Sequence, residues 1–368
     1  MPQGELGTAT SFNGTKVNGA QAPFTSAHPQ TTTTSGFKKD IEDGATKMAD
    51  AKSQLLTVIQ GRDEICGMTL NGILMGENVL YEGGFGGGKS FISSNLAIIL
   101  NLDYAKKDFT SDTLPADILG YYDRDPEDPS KLIFVEGPVF TQLFHADEIN
   151  RATPTTQSGL LGAMQNRAIE VRGKSVDLPK PFSVIATQNP AEEEGTYPLP
   201  GAQLDRFGLR LEFLNIDEAA GERLLRQTIS GQKQTNMDNL QAVLSNDLGN
   251  GNHELLALRD LARRIPFEEA AIKYILDIRK IMRPEETTST GIKEHFAVGS
   301  AFGERGSEKL AYLAQGSALM QGKEVVQVSD IAPFVVPAMT HRLLYTGKPS
   351  DTLAQQLVQE AAEQALHI

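Results

Sequence analysis

One stretch of the sequence reads Gly83-Gly84-Phe85-Gly86-Gly87-Gly88-Lys89-Ser90, which fits the pattern G-x-x-x-x-G-K-S of a phosphate-binding loop. A short apolar run, Asn78–Tyr81, precedes it and predicts a strand, and the apolar run Phe91–Leu100 predicts a helix after it. This context suits the pattern, because glycine-rich backbone and a helix N-terminus together surround a phosphate with N–H groups. Lys89 would reach the β- and γ-phosphates and Ser90 would hold Mg²⁺. The stretch therefore predicts a site for a nucleoside triphosphate.

The composition of the 368-residue chain limits the classes of protein to which it can belong. A net charge of −13 argues against a dedicated nucleic-acid surface, which would be basic. A single cysteine, Cys66, excludes an internal disulfide and is typical of a reducing compartment. No apolar run is long enough to cross a bilayer, and the N-terminus lacks the features of a signal peptide. We expect a soluble cytoplasmic protein with neither a membrane nor a nucleic acid as partner.

The sequence pattern divides the chain into three parts. Residues 1–37 are rich in Thr, Ser, Gly, Gln and Asn and predict a flexible tail. Over 38–215, strand-like runs alternate with helical ones, which indicates a parallel α/β sheet covered by helices on both faces. Over 216–368 only helical patterns remain, and they predict a second, all-helical domain.

The predicted elements are as follows. The strands are Val79–Tyr81, Phe140–Ala146, Ser183–Thr187 and Phe207–Phe213. The helices of the second domain are Glu254–Arg264, Phe267–Met282, Glu308–Gln321, Asp330–Leu344 and Thr352–His367, with N-caps at Ser307, Ser329 and Asp351.

Polar residues follow two of the predicted strands. Asp147 and Glu148 end the first, where Asp147 can hold Mg²⁺ through water and Glu148 can take a proton from an attacking water. Asn189 ends the second at the same sheet edge, within reach of a γ-phosphate and that water. Taken alone, the acids could simply enter a turn, and Asn-Pro could be an ordinary turn. His145, inside the first strand, fits a packed side chain better than a ligand.

Longer blocks of the sequence resemble the MoxR branch of the AAA+ ATPases. They are Leu114–Gly120, Gly137–Phe140, Asp147–Ala152, Ala186–Pro190 and Glu194–Phe207, and the resemblance runs from about Val58 to about Leu344. It implies a P-loop AAA+ sheet sandwiched by helices and followed by an all-helical lid. ATP would then lie between the two domains and at a subunit boundary.

The resemblance also implies roles for single residues. Lys89 and Ser90 match the Walker A residues, Asp147 and Glu148 match the Walker B pair, and Asn189 matches sensor 1. The glycine-rich residues before Lys89 would bind the nucleotide, although the family tends to carry a proline within Gly84-Phe85-Gly86.

Two arginines are implied by the same resemblance. Arg206 resembles the arginine finger, which reaches the γ-phosphate bound to the neighbouring subunit, with Arg151, Arg172 and Arg210 as alternatives. Arg305 takes the place of the sensor 2 arginine and would contact the nucleotide. Gly303-Glu304 replaces the usual Ser-Pro before it, and Glu304 could pair with Arg305 instead.

At the level of function, the resemblance implies an ATP hydrolase that uses Mg²⁺ and works as a hexameric ring. Such proteins carry out chaperone-like remodelling or maturation of a partner, for example metal or cofactor insertion. The partner often contains a von Willebrand factor A domain, which here would be a separate chain. Two segments, Tyr121–Phe134 and Ala168–Leu178, resemble the hairpins that face the pore in this clade.

Two alternatives of another class remain open from sequence. One is a nucleotide-gated assembly scaffold with little turnover, which the presence of Glu148 disfavours. Another is a DNA-dependent AAA+ motor, which the acidic charge disfavours. A chelatase motor subunit is a close relative that sequence separates poorly.

Overall fold

The computed structural model describes residues 34–84, 86–189, 195–238, 251–287, 289–296, 303–343 and 351–367. The strands, in chain order, are β1 (Val79–Glu82), β2 (Tyr104–Asp108), β3 (Gly120–Arg124), β4 (Leu132–Glu136), β5 (Leu143–Asp147), β6 (Ala168–Val171), β7 (Lys174–Asp177), β8 (Ser183–Gln188) and β9 (Leu209–Glu212). The helices up to the end of the sheet are α1 (Thr34–Val58), α2 (Asp63–Met75), α3 (Lys89–Ile99), α4 (Ala116–Leu119), α5 (Pro154–Asn166) and α6 (Gly201–Leu204). Those that follow are α7 (Glu218–Ile229), α8 (232–238), α9 (Gly251–Arg263), α10 (Glu269–Ile281), α11 (Thr290–His295), α12 (Glu304–Met320), α13 (Val328–Met339) and α14 (Asp351–Ala365).

Five of the strands form one parallel sheet in the order β2-β5-β8-β1-β9. Alternate side chains of each strand enter two separate hydrophobic cores, because successive residues of a strand point to opposite faces. In β1, for example, Val79 and Tyr81 belong to one core and Leu80 to the other. The first core is shared with α1, α2 and α3, and the second with α5. The predicted α/β sheet covered by helices on both faces is thereby confirmed.

The predicted hairpins are also confirmed. β3 and β4 pair antiparallel, and so do β6 and β7, each as a separate two-stranded sheet. The tight turn of the second hairpin contains Arg172 (φ 52°) and Gly173 (φ 74°).

Among the described residues after the sheet, the regular elements are helices, as predicted for the lid, and Phe267 and Val326 form an isolated β-bridge. Its helix α12 packs against α1 and α2, so the lid shares the first core. The predicted caps at Ser307 and Ser329 are wrong. Ser307 lies inside α12, where its N–H donates to the Gly303 carbonyl, and α13 is instead capped by Gln327, which forms a capping box with Asp330. Asp351 is the first residue of α14.

Some boundaries differ from the sequence-based expectation. The predicted strand from Phe140 begins only at Leu143, because the N–H groups of Phe140 and Thr141 form turn hydrogen bonds. The edge strand β2 was not predicted from sequence, because Lys106 and Lys107 break its apolar pattern. Residues 1–33 of the predicted tail lie outside the described residues, and α1 begins at Thr34. Among the described helices, none is both long and apolar enough to span a membrane.

Candidate nucleotide-binding and catalytic site

The P-loop (Gly83–Ser90) connects β1 to α3 as the sequence predicts, with Phe85 outside the described residues. Gly86 (φ 76°) and Gly88 (φ 82°) adopt left-handed backbone conformations that favour glycine. A Cβ built on Gly84, Gly86 or Gly88 would meet no atom within 4 Å, so these residues border open space. That open, glycine-lined cradle at the start of α3 fits a phosphate group.

Lys89 is 9% exposed, and its ammonium lies within the loop. The Nζ donates to the carbonyl oxygens of Gly83 and Gly84, the latter at 3.0 Å. This ammonium group suits an anionic ligand, because it carries a positive charge and three hydrogen-bond donors but no acceptor. A phosphate bound in the loop would replace these carbonyls as the hydrogen-bond partner of the Lys89 ammonium.

Asp147 ends β5 beside the P-loop and accepts hydrogen bonds at both carboxylate oxygens. Ser90 Oγ donates to Oδ2 at 3.2 Å, Thr187 Oγ1 donates to Oδ1, and Lys106 Nζ lies 2.7 Å from Oδ2. Burial raises the pKa of this carboxyl, but the His145 ring 3.6 Å away, Lys106 and Thr187 outweigh it and hold the pKa well below its ordinary value. A serine hydroxyl beside an ionised carboxylate is a donor set that fits Mg²⁺.

Glu148 follows β5 in a left-handed conformation (φ 57°), which is uncommon for a residue other than glycine. Its N–H donates to Thr187 Oγ1 at 2.9 Å, which fixes the turn. Arg151 Nε lies 2.6 Å from one carboxylate oxygen, and Asn189 Nδ2 lies 3.4 Å from the other. The structure therefore brings Glu148 and Asn189 together, as predicted, and adds an ion pair with Arg151 that the sequence did not indicate.

A cavity of about 370 Å³ adjoins the P-loop. Three parts of the chain form its wall: the P-loop with the start of α3, the segment that joins α1 to α2, and residues after the sheet. The lining residues are Gly86, Gly87, Gly88, Phe91, Ile92, Val58, Ile59, Gln60, Arg62, Asn215, Ile216, Leu224 and Lys233. Lys233 Nζ lies 4.7 Å from the centroid of the Phe91 ring, which places a lid-side cation at the cavity. The cavity has the position and the mixed lining expected for the base and sugar of a nucleotide. Neither Val58–Arg62 nor Lys233 carries a sequence signal that could have identified it.

Arg206 lies at the opposite edge of the sheet from the P-loop. Its carbonyl accepts a hydrogen bond from Asn78 Nδ2 at 3.2 Å, and Asn78 immediately precedes β1, whereas the P-loop follows β1. Four strand residues span about 13 Å. The Arg206 side chain is half-buried and forms no ion pair with the described residues.

Known proteins are similar to this chain in sequence and in fold. A family model described as "ATPase family associated with various cellular activities (AAA)" matches residues 78–209, which include the P-loop, Asp147, Glu148, Asn189 and Arg206. YeaC of Bacillus subtilis is 31% identical over 82% of this chain and 88% of its own length. Chaperone MoxR1 of Mycobacterium tuberculosis is 32% identical over 82% of this chain and 76% of its own length. This chain belongs to the MoxR family of AAA+ ATPases. A solved structure from Cytophaga hutchinsonii has the same fold, with a TM-score of 0.73 and 25% identity over 88% of this chain and 96% of that one.

In this MoxR-family chain, the structure does not bring Arg305 to the P-loop of its own chain. Arg305 Nη1 lies 3.9 Å from Asp205 Oδ2, beside Arg206, and its side chain is 72% exposed. One turn further along α12, Lys309 pairs with Glu77, which also precedes β1. The helix α12 therefore begins at the edge where Arg206 lies. The contact of Arg305 with a nucleotide stays a prediction, and the structure places this side chain beside Asp205 rather than at the P-loop of its own chain.

The alternatives to Arg206 already have partners within the chain. Arg210 is paired with Glu82, and both side chains are largely buried. Arg172 stacks over the Tyr122 ring at 5.7 Å, which connects the two hairpins. Arg151 is paired with Glu148, as described above.

Proposed function

We propose that this chain hydrolyses ATP at the boundaries between subunits of a ring, taken to be hexameric as in its family. The observation that supports this is the separation of Arg206 from the P-loop by the length of β1. A guanidinium at that edge can stabilise phosphoryl charge only at the nucleotide of another subunit. Arg305, beside it, would face the same neighbouring nucleotide.

The described residues can carry out the reaction as follows. Lys89 and Asn189 bind the γ-phosphate, and Glu148 accepts the proton of the water that attacks it. Ser90 and Asp147 would hold Mg²⁺, whose positive charge would offset that of the phosphate. Arg151 contacts one oxygen of the Glu148 carboxylate directly. The ion pair must therefore open, or leave the second carboxylate oxygen available, before Glu148 can orient water.

The test of turnover is a comparison of wild type, Glu148→Gln and Arg206→Ala over a range of protein concentrations, with mass measured in parallel. We expect wild-type turnover per chain to rise with assembly, and both variants to lose at least about a hundredfold in kcat. Glu148→Gln should still bind ATP. If wild type forms rings and binds ATP but turns it over no faster than Glu148→Gln, the chain is a nucleotide-gated scaffold instead.

A mixing experiment tests the shared boundary directly. Arg206→Ala chains keep an intact P-loop, and Glu148→Gln chains keep an intact Arg206, so a mixed ring contains complete sites that neither variant has alone. In an equimolar random mixture about a quarter of the boundaries combine the two intact halves. Turnover should recover to about that fraction of wild type. No recovery in rings shown by mass to be mixed would contradict catalysis across the boundary.

We further propose that hydrolysis drives chaperone-like remodelling or maturation of a separate protein, such as one with a von Willebrand factor A domain or its client. The name of the relative MoxR1 as a chaperone supports this. So does the first hairpin, where Tyr121, Leu132 and Ile133 are exposed apolar side chains. With Glu148→Gln as an ATP-bound trap, a purified partner should be retained, and Leu132→Ser with Ile133→Ser should abolish retention without changing ATP binding.

A further inference from the structure

Another cavity, of about 210 Å³, lies between α9 of the lid and the edge of the sheet opposite the P-loop, and apolar residues such as Met75, Phe182 and Leu256 form part of its wall. Four cationic side chains line it: Arg167, Lys180, Arg259 and Arg263. No Asp or Glu is among the described residues of its lining. In a chain of net charge −13, this concentration of positive charge without a carboxylate in the wall is unusual. We name these four residues the cationic pocket.

Two of the four side chains are held in place by backbone groups. Arg259 donates from Nε to the Leu74 carbonyl at 2.7 Å and from Nη2 to the Ile73 carbonyl at 3.1 Å. Arg167 donates from Nη2 to the Gly76 carbonyl at 2.6 Å and from Nη1 to another carbonyl. The carbonyls of Ile73, Leu74 and Gly76 lie at the C-terminal end of α2 and that of Phe182 precedes β8, and together they offset part of the positive charge. Each guanidinium still has further N–H groups, because its planar fork carries more donors than these bonds use.

The remaining charge within the pocket is poorly compensated. Burial, followed by the nearby Arg263 and Arg167, lowers the pKa of Arg259 to about 10, while Asp260 and Glu77 act more weakly in the opposite direction. The Glu77 carboxylate is itself bound to Lys309. Like charges that are brought together in a partly buried wall repel one another, and an anion between them would relieve that repulsion.

We propose that the cationic pocket binds a small phosphate-bearing anion, at a site distinct from the P-loop. Arginine forks match the oxygens of a phosphate in geometry and charge. The volume equals that of about seven water molecules at ~30 Å³ each, which accommodates a phosphate or diphosphate group. Because Arg259 and Arg263 come from α9 while Arg167 and Lys180 come from the α/β domain, the anion would tie the lid to that domain.

The probe for this site is inorganic pyrophosphate, added in magnesium-free buffer to protein already saturated with ADP so that the P-loop is filled. We expect calorimetry to show one further pyrophosphate per chain and a rise in Tm. The double variant Lys180→Ala/Arg263→Ala should weaken this binding at least about tenfold, since two charged contacts are lost and neither side chain caps α2. An unchanged ADP affinity of the double variant would show that it is folded.

Arg264→Ala is the matched control. Arg264 follows Arg263 in sequence, but its guanidinium lies 5.0 Å from the Phe37 ring and does not line the pocket. It should leave pyrophosphate binding unchanged. A second equivalent of ADP, tested in the same way, decides whether the natural anion is a nucleotide or a free phosphate. The proposal is overturned if ADP-saturated protein binds neither probe, or if both variants bind with the wild-type affinity.

Discussion

At the scale of the residue, Asp147 shows how the site stabilises a partly buried charge. Ser90, Thr187 and Lys106 all present hydrogens to its two oxygens, so an amide at this position would face donors with donors of its own. We expect Asp147→Asn to lower the free energy of unfolding at pH 7 by about 1–3 kcal/mol. The pKa of Asp147 is depressed in the folded protein, so its contribution is present above the ordinary carboxyl pKa of about 3.9 and is lost as pH falls below it. Urea unfolding at pH 7 and again near pH 3 should therefore show the gap between wild type and variant narrowing in acid, whereas Asp108→Asn, at a side chain 74% exposed, should change little at either pH. An equal gap at both values would mean that the ionised form is not what the site stabilises.

At the scale of the element, the hairpins were predicted from the sequence, but the contact between them was not. The hairpins follow from the family resemblance. The positions of Asp147 and Asn189 follow from the sequence pattern itself, because the carboxyl ends of neighbouring parallel strands meet at one edge. The edge strand β2 could not be predicted, because its two lysines leave no apolar pattern. The ion pair between Lys106 and Asp147 depends on the register of β2 against β5, which the sequence does not show. Nor could the contact of Arg172 with Tyr122 be predicted, because it joins two segments far apart in sequence. We expect Arg172→Ala, which removes a cation–π contact of about 0.5–1 kcal/mol, to speed amide exchange a fewfold in β3 and β4 as well as in its own hairpin. Lys174→Ala, in the same hairpin but without a ring partner among the described residues, is the control, and faster exchange confined to β6 and β7 would show that the hairpins are not coupled.

At the scale of the whole molecule, the nucleotide cavity is where the lid and the α/β domain meet. Residues before the sheet, the P-loop and α3 form most of its wall, and the helices after the sheet add Leu224 and Lys233. Because Arg305 lies at the far edge, Lys233 is the lid-side cation among the described residues that line the cavity, and it can respond to a nucleotide in its own chain. We expect Lys233→Ala to weaken ATP and ADP binding about three- to tenfold, in keeping with the loss of one half-buried charged contact, and to reduce the rise in Tm that nucleotide produces. Gln234→Ala, at the next residue and outside the described lining, should leave both quantities as in wild type. Under the proposal that Arg206 acts across a ring boundary while Lys233 acts within one chain, nucleotide affinity measured at dilutions that dissociate the ring should fall in Lys233→Ala and stay unchanged in Arg206→Ala. The reverse order of effects would assign Arg206 to the nucleotide of its own chain, contrary to the proposal, and leave Lys233 as a packing partner of Phe91.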